Sequence, residues 1–278
     1  MAAKLIVNAD DFGYSWETTE GIIRVFEKGI VTSTTLIVNG FFFEKAVKYA
    51  KDNRRLSVGI HLNLTSGKAI SEKNRIFTII QKNGIFWKNP LDLTMKLISK
   101  KINTAHVERE LEAQICRFLD TGLIPSHIDS HGHVHLLPMI LPIVIKIAHK
   151  YKIRRIRIPL EPLLFNKTLK NYLLNKAQFR ILHLNLLCLW AMKIIEKAGM
   201  VTTDSFYGTS FSGKLNKTVF LSILDNIKTG VVEIMCHPGV SNKSLWGNLS
   251  DELELLSDSS MIAEIKKRNI DLISYNDL

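Results

Sequence analysis

Few folds accommodate the order of apolar runs in this chain, where short β-branched runs alternate with longer amphipathic ones. Strands that alternate with helices form βα units, and these units assemble into a parallel sheet. The strand-like runs lie at 4–10, 31–40, 56–64, 125–131, 154–160, 230–237 and 271–277. The helix-like runs lie near 16–28, 42–52, 105–120, 138–150, 166–198, 216–227 and 250–268. We predict an α/β fold, an irregular (β/α) barrel with a mostly parallel sheet, and keep an open doubly wound sheet as the alternative.

A polar or reactive side chain stands at the end of nearly every strand-like run. The carboxyl ends of parallel barrel strands gather on one face, and active sites are built on that face. The residues at these positions are Asp10 and Asp11, Asn39, His61, Arg157 and His237, together with the cluster at 127–135. We therefore expect an active site at the carboxyl ends of the strands.

The segment HIDSHGHVH (127–135) places four histidines and one aspartate at odd positions. On an extended strand these five side chains would share one face, spread over roughly 26 Å. A metal ion lies only about 2.1 Å from each ligand nitrogen, so a straight strand supplies at most two neighbours as ligands. The other ligands must come from elsewhere, and His61, Asp10 and Asp11 are candidates. Two histidines and one carboxylate form a common hydrolytic metal site.

Each of these residues also has a structural interpretation. An Asp-Asp pair at a strand end often caps a helix or forms a turn. A single histidine such as His61 is more often a hydrogen-bonded core or surface residue. The density of histidines at 127–135 is what favours a metal or catalytic role for that segment.

The net charge of +11 favours anionic partners such as nucleic acid, anionic lipid or phosphorylated substrates. The lysines are scattered through amphipathic segments, so we expect no nucleic-acid partner. Three widely spaced cysteines argue against a disulfide framework and indicate a reducing compartment. The N-terminus lacks the pattern of a signal peptide, and no run of 18 apolar residues predicts a spanning helix. A cytoplasmic location is expected.

Five ordered motifs resemble the YdjC-like carbohydrate deacetylases, a family that includes chitooligosaccharide deacetylases and members associated with hopanoid biosynthesis. The motifs are IVNADDFGYS, GIVTSTTLIVNG, VGIHLNLTSGK, PSHIDSHGHVHLLP and MCHPG. The resemblance runs from about residue 4 to the C-terminus and is weakest over 66–100 and 160–215. It implies a barrel-like β/α fold and removal of acetyl groups from N-acetylated sugars with one divalent metal ion, zinc or magnesium.

The resemblance also implies roles for particular residues. The metal ligands would be Asp11, His61 and His131. Asp10 would be the general base that acts on the water activated by the metal, and His237 would be the general acid that protonates the leaving amine.

The remaining candidates would support the ligands or contact the sugar. By analogy with an arginine–proline motif of related deacetylases, Arg157 would orient Asp10. His127 and Asp129 enter along the strand, and His133 and His135 would line the sugar cleft. Asn39 completes the candidate substrate contacts.

The chain is predicted to form a single deacetylase domain, 1–278, with a helical insertion at about 162–200. The part at 166–198 carries six basic residues and one acid among leucines and a tryptophan. It predicts either a helical element packed on the barrel, a dimer surface, or a basic amphipathic element at the inner membrane surface. A homo-oligomer stays open. The alternative functions are a metal-dependent hydrolase of another bond, such as a phosphoester, and a non-catalytic sugar-binding protein.

Overall fold

The computed structural model describes residues 3–162, 177–241 and 248–278. Within them, every pairing between the strands is parallel. The order across the sheet is β4-β3-β2-β1-β6-β5, and β7 also pairs with β1. The strands are β1 (Ala3–Phe12), β2 (Ser33–Leu36), β3 (Ser57–Leu62), β4 (Ile128–Ser130), β5 (Ser205–Tyr207), β6 (Val231–Cys236) and β7 (Ile270–Ile273). The expected α/β fold with a mostly parallel, curled sheet is confirmed.

β1 is the centre of the sheet and has three partner strands. β6 follows it from Lys4 to Ala9 along one edge. β7 pairs with Ala3–Ile6, and β2 pairs with the stretch from Asn8 to Phe12. The whole of β1 except Lys4 is buried, because both of its faces are covered.

The segment 155–160 brings the two outer strands of the sheet towards each other. Ile156 forms a parallel bridge with Ile128, the first residue of β4, and Arg155 forms one with Val201. The amide of Phe206 in β5 donates to the carbonyl of Leu160 over 3.2 Å. The sheet therefore curls into an irregular barrel.

The prediction of a strand at 154–160 was wrong, because the segment makes only isolated bridges. Pro159 and Pro162 lack the amide proton that a continuous ladder requires. β5 was not predicted, since it is only three residues long and follows a polar stretch.

Helices surround the sheet, and each of them buries apolar side chains in the core. In the described residues they are α1 (Trp16–Lys28), α2 (Phe43–Asp52), α3 (Pro90–Ile98), α4 (Thr104–Leu119), α5 (Leu141–Lys150), α6 (Ala177–Lys197), α7 (Lys217–Asn226), α8 (Leu249–Ser257) and α9 (Ser260–Lys267). The helix predicted at 250–268 is two helices, because the chain turns at Asp258, whose carboxylate accepts from the Ser260 amide over 2.8 Å. α3 lies within 66–100, where the sequence predicted neither a strand nor a helix. The Asn89 side chain caps it by accepting from the Leu91 amide.

The predicted helical insertion falls partly on residues 163–176, which lie outside the described part of the chain. The described remainder forms α6, which buries Ile181, Cys188 and Ala191 against the barrel. Among the described helices, none is both long and apolar enough to cross a bilayer. The assignment of 1–278 to a single domain stays a prediction.

The histidine cluster leaves the strand earlier than its spacing predicted. β4 ends at Ser130, and the turn His131–Leu136 follows it. Gly132 and His133 have left-handed backbones, with φ of 66° and 57°. The strand-like run predicted at 125–131 therefore ends at Ser130, and His131 belongs to the turn together with His133 and His135.

Candidate metal centre and catalytic site

The two adjacent acids at the end of β1 face different partners. Asp11 has a left-handed backbone, with φ of 68°, which breaks the alternation of the strand. The Asp10 carboxylate contacts Arg157, whereas the Asp11 carboxylate contacts two histidines. Both acids are buried, so neither is a surface turn former.

Asp11, His61 and His131 form a buried cluster at the carboxyl ends of the strands. Asp11 Oδ1 lies 3.2 Å from His61 Nε2 and 2.9 Å from His131 Nδ1. One ligand atom from each of the three residues lies within 4.8 Å of the other two. An ion with bonds of about 2.1 Å holds its ligands roughly 3–4 Å apart, so the three side chains fit one divalent cation.

The surroundings of His61 support this interpretation. Its Nδ1 lies 2.7 Å from Asp129 Oδ1, and an ionised carboxylate only accepts hydrogen bonds. The Nδ1 atom therefore carries the proton, which leaves Nε2 free to bind a metal. Thr35 donates to Asp129 Oδ2 over 3.1 Å and fixes that carboxylate. A histidine oriented by a carboxylate is the usual arrangement around protein-bound metals.

A second group of potential ligands, Asp10, His61 and Asp129, is less suited to a cation. Arg157 forms ion pairs of 2.6 Å with both Asp10 and Asp129. The guanidinium already supplies a positive charge between these carboxylates and repels a second one. The cluster of Asp11, His61 and His131 is therefore the candidate metal centre.

Arg157 is fully buried and also contacts a third carboxylate. Its Nη1 and Nη2 atoms donate to the two oxygens of Asp10 over 2.6 and 2.7 Å. Its Nε donates to Glu233 over 2.8 Å, and Tyr275 donates its hydroxyl proton to the other oxygen of Glu233 over 2.5 Å. Asn8 also donates to Asp10, over 2.8 Å. The bidentate pair holds the Asp10 carboxylate in one orientation.

His237 follows β6 at the level of the two acids. Ala9 pairs with Cys236 in the sheet, so Asp10 and His237 are the next residues on adjacent strands. The amide of His237 donates to Glu252 over 2.6 Å, which anchors its backbone. Its Nδ1 atom is buried and has no hydrogen-bond partner in the described part of the structure. The register therefore brings His237 to the same end of the sheet as the two acids, and no described protein group accepts or donates a hydrogen bond at Nδ1 of its ring.

Asn39 and His127, two further candidate residues from the sequence, contact other protein groups. Asn39 donates to the carbonyls of Ser66 and Lys68, each over 2.9 Å, so it holds the loop after β3. His127 stacks on Tyr275 with ring centroids 3.5 Å apart, and it is fully buried. His127 and Asn39 therefore face protein groups, not an open cleft.

The last two histidines of the cluster differ in exposure. His135 is buried between Ser130 Oγ and the carbonyl of Arg157, at 2.6 and 2.9 Å. His133 is half-buried, and its Nε2 lies 3.4 Å from Thr209 Oγ1. Of the two, His133 is the more exposed.

Burial and charge together set the ionisation of the centre. Burial opposes the charged form of Asp11, but His131 and His61 outweigh it and hold the pKa of this carboxyl well below its usual range. Burial likewise disfavours protonated His61, yet Asp129 and Asp11 raise the pKa of His61 well above its usual value. Burial lowers the pKa of His127 to about 3, which keeps this ring neutral.

Several residues of the site were not anticipated from the sequence. Glu233 stands alone among apolar residues in the run VVEIMC, and a charge inside a buried strand is a signal that could have been used. Tyr14, whose ring stacks on that of His131 with centroids 6.1 Å apart, follows the DDFG motif directly. Tyr275 and Thr35 carry no such signal, because only the fold brings them to Glu233 and Asp129.

Comparison with known proteins shows similarity along the whole chain. The family described as YdjC-like protein matches residues 4–267. A carbohydrate deacetylase of Geobacillus stearothermophilus is 33% identical over 284 residues, covering 100% of this chain and 98% of the relative. A chitooligosaccharide deacetylase of Proteus mirabilis is 31% identical and is covered completely, as is this chain. A solved structure from Enterococcus faecalis, described as a cellobiose-phosphate cleavage protein, matches with a TM-score of 0.78 at 27% identity, covering 100% of this chain and 99% of that one.

Proposed function

The chain belongs to the YdjC-like protein family, and from this membership we propose that it is a metal-dependent carbohydrate N-deacetylase. It would hydrolyse the acetamide of an N-acetylated amino sugar, carried on an oligosaccharide or a glycolipid, to acetate and the free amine. The observation that carries the proposal is the buried cluster of Asp11, His61 and His131 beside an Asp10 that Arg157 holds. The deacetylase names of two relatives support the choice of substrate.

Asp11, His61 and His131 would hold the divalent ion. Two nitrogen ligands and one oxygen ligand suit zinc, and magnesium is the alternative. The bound ion would supply Lewis acidity, which makes water a better nucleophile near neutral pH and polarises a carbonyl group.

Asp10 would accept the proton of the attacking water. Arg157 holds both of its oxygens and Asn8 also donates to Oδ1, so the base does not rotate away from its task. Oδ2, which accepts from Arg157 Nη1, keeps a second lone pair for the proton. His237, on the neighbouring strand, would donate a proton to the sugar nitrogen as the bond between carbon and nitrogen breaks. An amide needs this proton because the unprotonated amine is a poor leaving group.

The test is an assay of acetate release from N-acetylglucosamine oligomers with Zn²⁺, Mg²⁺, Mn²⁺ or Co²⁺ added. We expect Asp10→Asn to lower kcat by roughly 10²- to 10⁴-fold while zinc binding, measured by calorimetry, persists. Asp11→Asn should lose zinc binding. Asp52→Asn, at an exposed aspartate of α2, is the matched control and should behave as the wild type.

Hydrolysis of another bond, such as a phosphoester, is the second candidate. The name of the Enterococcus faecalis protein, which concerns cleavage of a phosphorylated sugar, favours it. Phosphate release from cellobiose phosphate, without acetate release from any oligomer, would replace the deacetylase proposal. Binding of oligomers without release of either product would favour a non-catalytic sugar-binding protein.

A further inference from the structure

α3 exposes an apolar stripe to solvent. Leu91, Met95 and Ile98 are 65%, 58% and 68% exposed, and their i, i+4, i+7 spacing places them on one side of the helix. The opposite side buries Leu93 and Leu97 in the core. α3 is therefore apolar on two sides, and only one of them has a partner in the described structure.

α6 repeats this arrangement. Leu182, Leu186 and Leu189 have the same spacing and are exposed, and Trp190 beside them is partly exposed. Single exposed apolar residues are ordinary, but two helices with three-residue stripes are not. α6 is the described part of the segment for which the sequence left a membrane contact as one of three alternatives, whereas α3 was not part of that prediction.

Both helices adjoin the turn that carries His131. A Cβ atom added to Gly132 would lie only 2.9 Å from Pro90 Cγ, so the first residue of α3 touches the turn. α6 packs against the same turn, His131–Leu136. The two stripes thus belong to helices that both contact one element of the candidate metal centre.

The charge around α3 indicates what could cover its stripe. The stretch 82–101 contains five lysines and one aspartate, and the exposed lysines are Lys82, Lys88, Lys100 and Lys101. The fifth, Lys96, lies 4.1 Å from the centre of the Trp87 ring. Apolar side chains bordered by lysines match a surface with an apolar interior and anionic headgroups. A second copy of this chain would instead bring like charges together across a symmetric interface.

We propose that the chain binds the surface of an anionic bilayer through the apolar stripes of α3 and α6. The leucine, methionine and isoleucine side chains enter the boundary between headgroups and acyl chains, and the lysines contact the anionic headgroups. This position holds the turn with His131 close to the headgroups, where a sugar linked to a lipid would be presented. The inference concerns binding, so it does not depend on the reaction proposed above.

The test is flotation of the full-length protein with vesicles of phosphatidylglycerol and phosphatidylcholine, compared with phosphatidylcholine alone. We expect binding to the anionic vesicles only, and a loss of binding in 0.5 M NaCl because salt screens the lysines. The variant Leu91→Glu/Met95→Glu/Ile98→Glu should lower the partition coefficient by about tenfold or more. Lys100→Glu/Lys101→Glu should weaken binding at low salt.

Ile124→Glu is the matched control. Ile124 is 88% exposed and precedes β4, so it lies at the opposite end of the strands from His131. It should bind vesicles as the wild type does. Thermal unfolding of every variant establishes that it is folded, as expected for substitutions at exposed positions.

Two results would overturn the proposal. One is a wild-type protein that does not float with anionic vesicles at low salt. The other is a stripe variant that floats as well as the wild type but changes from dimer to monomer in analytical ultracentrifugation, which would assign the stripe to a second copy. Since flotation requires no turnover, neither result bears on the deacetylase proposal.

Discussion

One guanidinium, that of Arg157, pairs with three buried carboxylates, Asp10, Asp129 and Glu233. A buried charge is tolerated only when it is paired and hydrogen-bonded, so each carboxylate depends on the same cation. Asp10 is the proposed base, and Asp129 orients His61. Arg157 therefore connects the proposed base with the carboxylate that orients the metal ligand His61, and Glu233 holds Arg157 in place through a third ion pair.

We predict that Glu233 is a positioning residue. Glu233→Gln should lower kcat for acetate release by about tenfold and leave KM nearly unchanged, because Glu233 touches Arg157 and not the substrate. Tyr275→Phe removes the hydrogen bond to Glu233 and should lower kcat in the same way, but by a smaller factor. Tyr49→Phe, which removes a tyrosine hydrogen bond to Glu27 near the surface, is the control. An equal rise in KM for both Glu233 and Tyr275 variants would contradict this role.

Glu161 predicts a pH dependence of stability. Burial raises its pKa from 4.5 to about 7, although hydrogen bonds from Ser210 and its neighbours act in the other direction. A carboxyl whose pKa is higher in the folded state than in the unfolded state contributes its full stabilisation of the fold when the pH is below the unfolded pKa. This contribution is lost as the pH rises through the folded pKa of about 7. The wild type should therefore lose stability relative to Glu161→Gln as the pH increases.

Urea unfolding at pH 5 and pH 8 measures this effect. The difference in unfolding free energy, variant minus wild type, should grow by roughly 2–3 kcal/mol between the two pH values. Glu196→Gln, at an exposed position of α6, provides the comparison. A constant difference for Glu161→Gln would show that this carboxyl is ionised in the folded protein throughout the range.

The sequence predicts which residues lie at strand ends, but not which of their side chains form contacts with each other. Asp10, Asp11 and His61 are recognisable because each polar residue closes an apolar run. The pairing of Arg157 with Glu233, 76 positions apart, depends on the curl of the sheet. No local pattern encodes that contact, so Glu233 and Tyr275 emerge only from the fold.

At the scale of elements, the turn His131–Leu136 determines how the histidine segment is used. The left-handed residues Gly132 and His133 redirect the chain after β4. As a result His131 faces Asp11 while His135 is buried between Ser130 and Arg157. The sequence predicted a strand end at 131, close to the observed end at Ser130, but not the left-handed turn that directs His131 and His135 to different partners.

We predict that Gly132→Ala disrupts this turn. The left-handed backbone costs an alanine about 1 kcal/mol, and the added Cβ would come within 2.9 Å of Pro90. Zinc affinity should fall by tenfold or more because His131 is the preceding residue. Gly122→Ala is a close control, since Gly122 has a φ of +82° but nothing within 4 Å of the added atom. The Gly122→Ala variant should lose a similar amount of unfolding free energy through its left-handed backbone and keep the zinc affinity of the wild type.

Calorimetric zinc titration and urea unfolding of the two variants distinguish the outcomes. Unchanged zinc binding in Gly132→Ala would mean that the turn adapts without moving His131. A loss of zinc binding in both variants would point to a general effect of destabilisation.

At the scale of the whole molecule, the candidate ligands come from three separate parts of the sheet. Asp11 belongs to β1, His61 to β3, and His131 to the turn after β4. An ion held by all three would bind the native state and not the unfolded chain. Such a ligand at 100 times its dissociation constant raises the free energy of unfolding by about 2.7 kcal/mol.

We therefore predict that zinc raises the unfolding temperature of the wild type and that a chelator reverses the change. His61→Ala and His131→Ala should each abolish the increase. His149→Ala, whose ring contacts the Ala198 carbonyl away from the cluster, should retain it. Differential scanning calorimetry with and without zinc measures the shift, and an increase that survives in His61→Ala and His131→Ala would place the ion elsewhere.

The class of fold was predictable because alternating strands and helices leave few architectures. An irregular barrel was expected too, but the way in which 155–160 contributes to it was not, because its bridges depend on Val201 and Ile128, far away in the sequence. The three residues of β5 are similarly too few to show a pattern of their own.

The pairing of β1 with three strands has a consequence for how the protein unfolds. The backbone amides of a strand covered along both edges are the last to exchange with deuterated water, since they open only when the whole domain does. Asp10 and Asp11 directly follow the paired residues of this strand, at the register shift between Ala9 and Phe12. We expect the paired part of β1 to separate only in global unfolding, and the support that it gives to the proposed base and metal ligand to be lost in the same thermal transition.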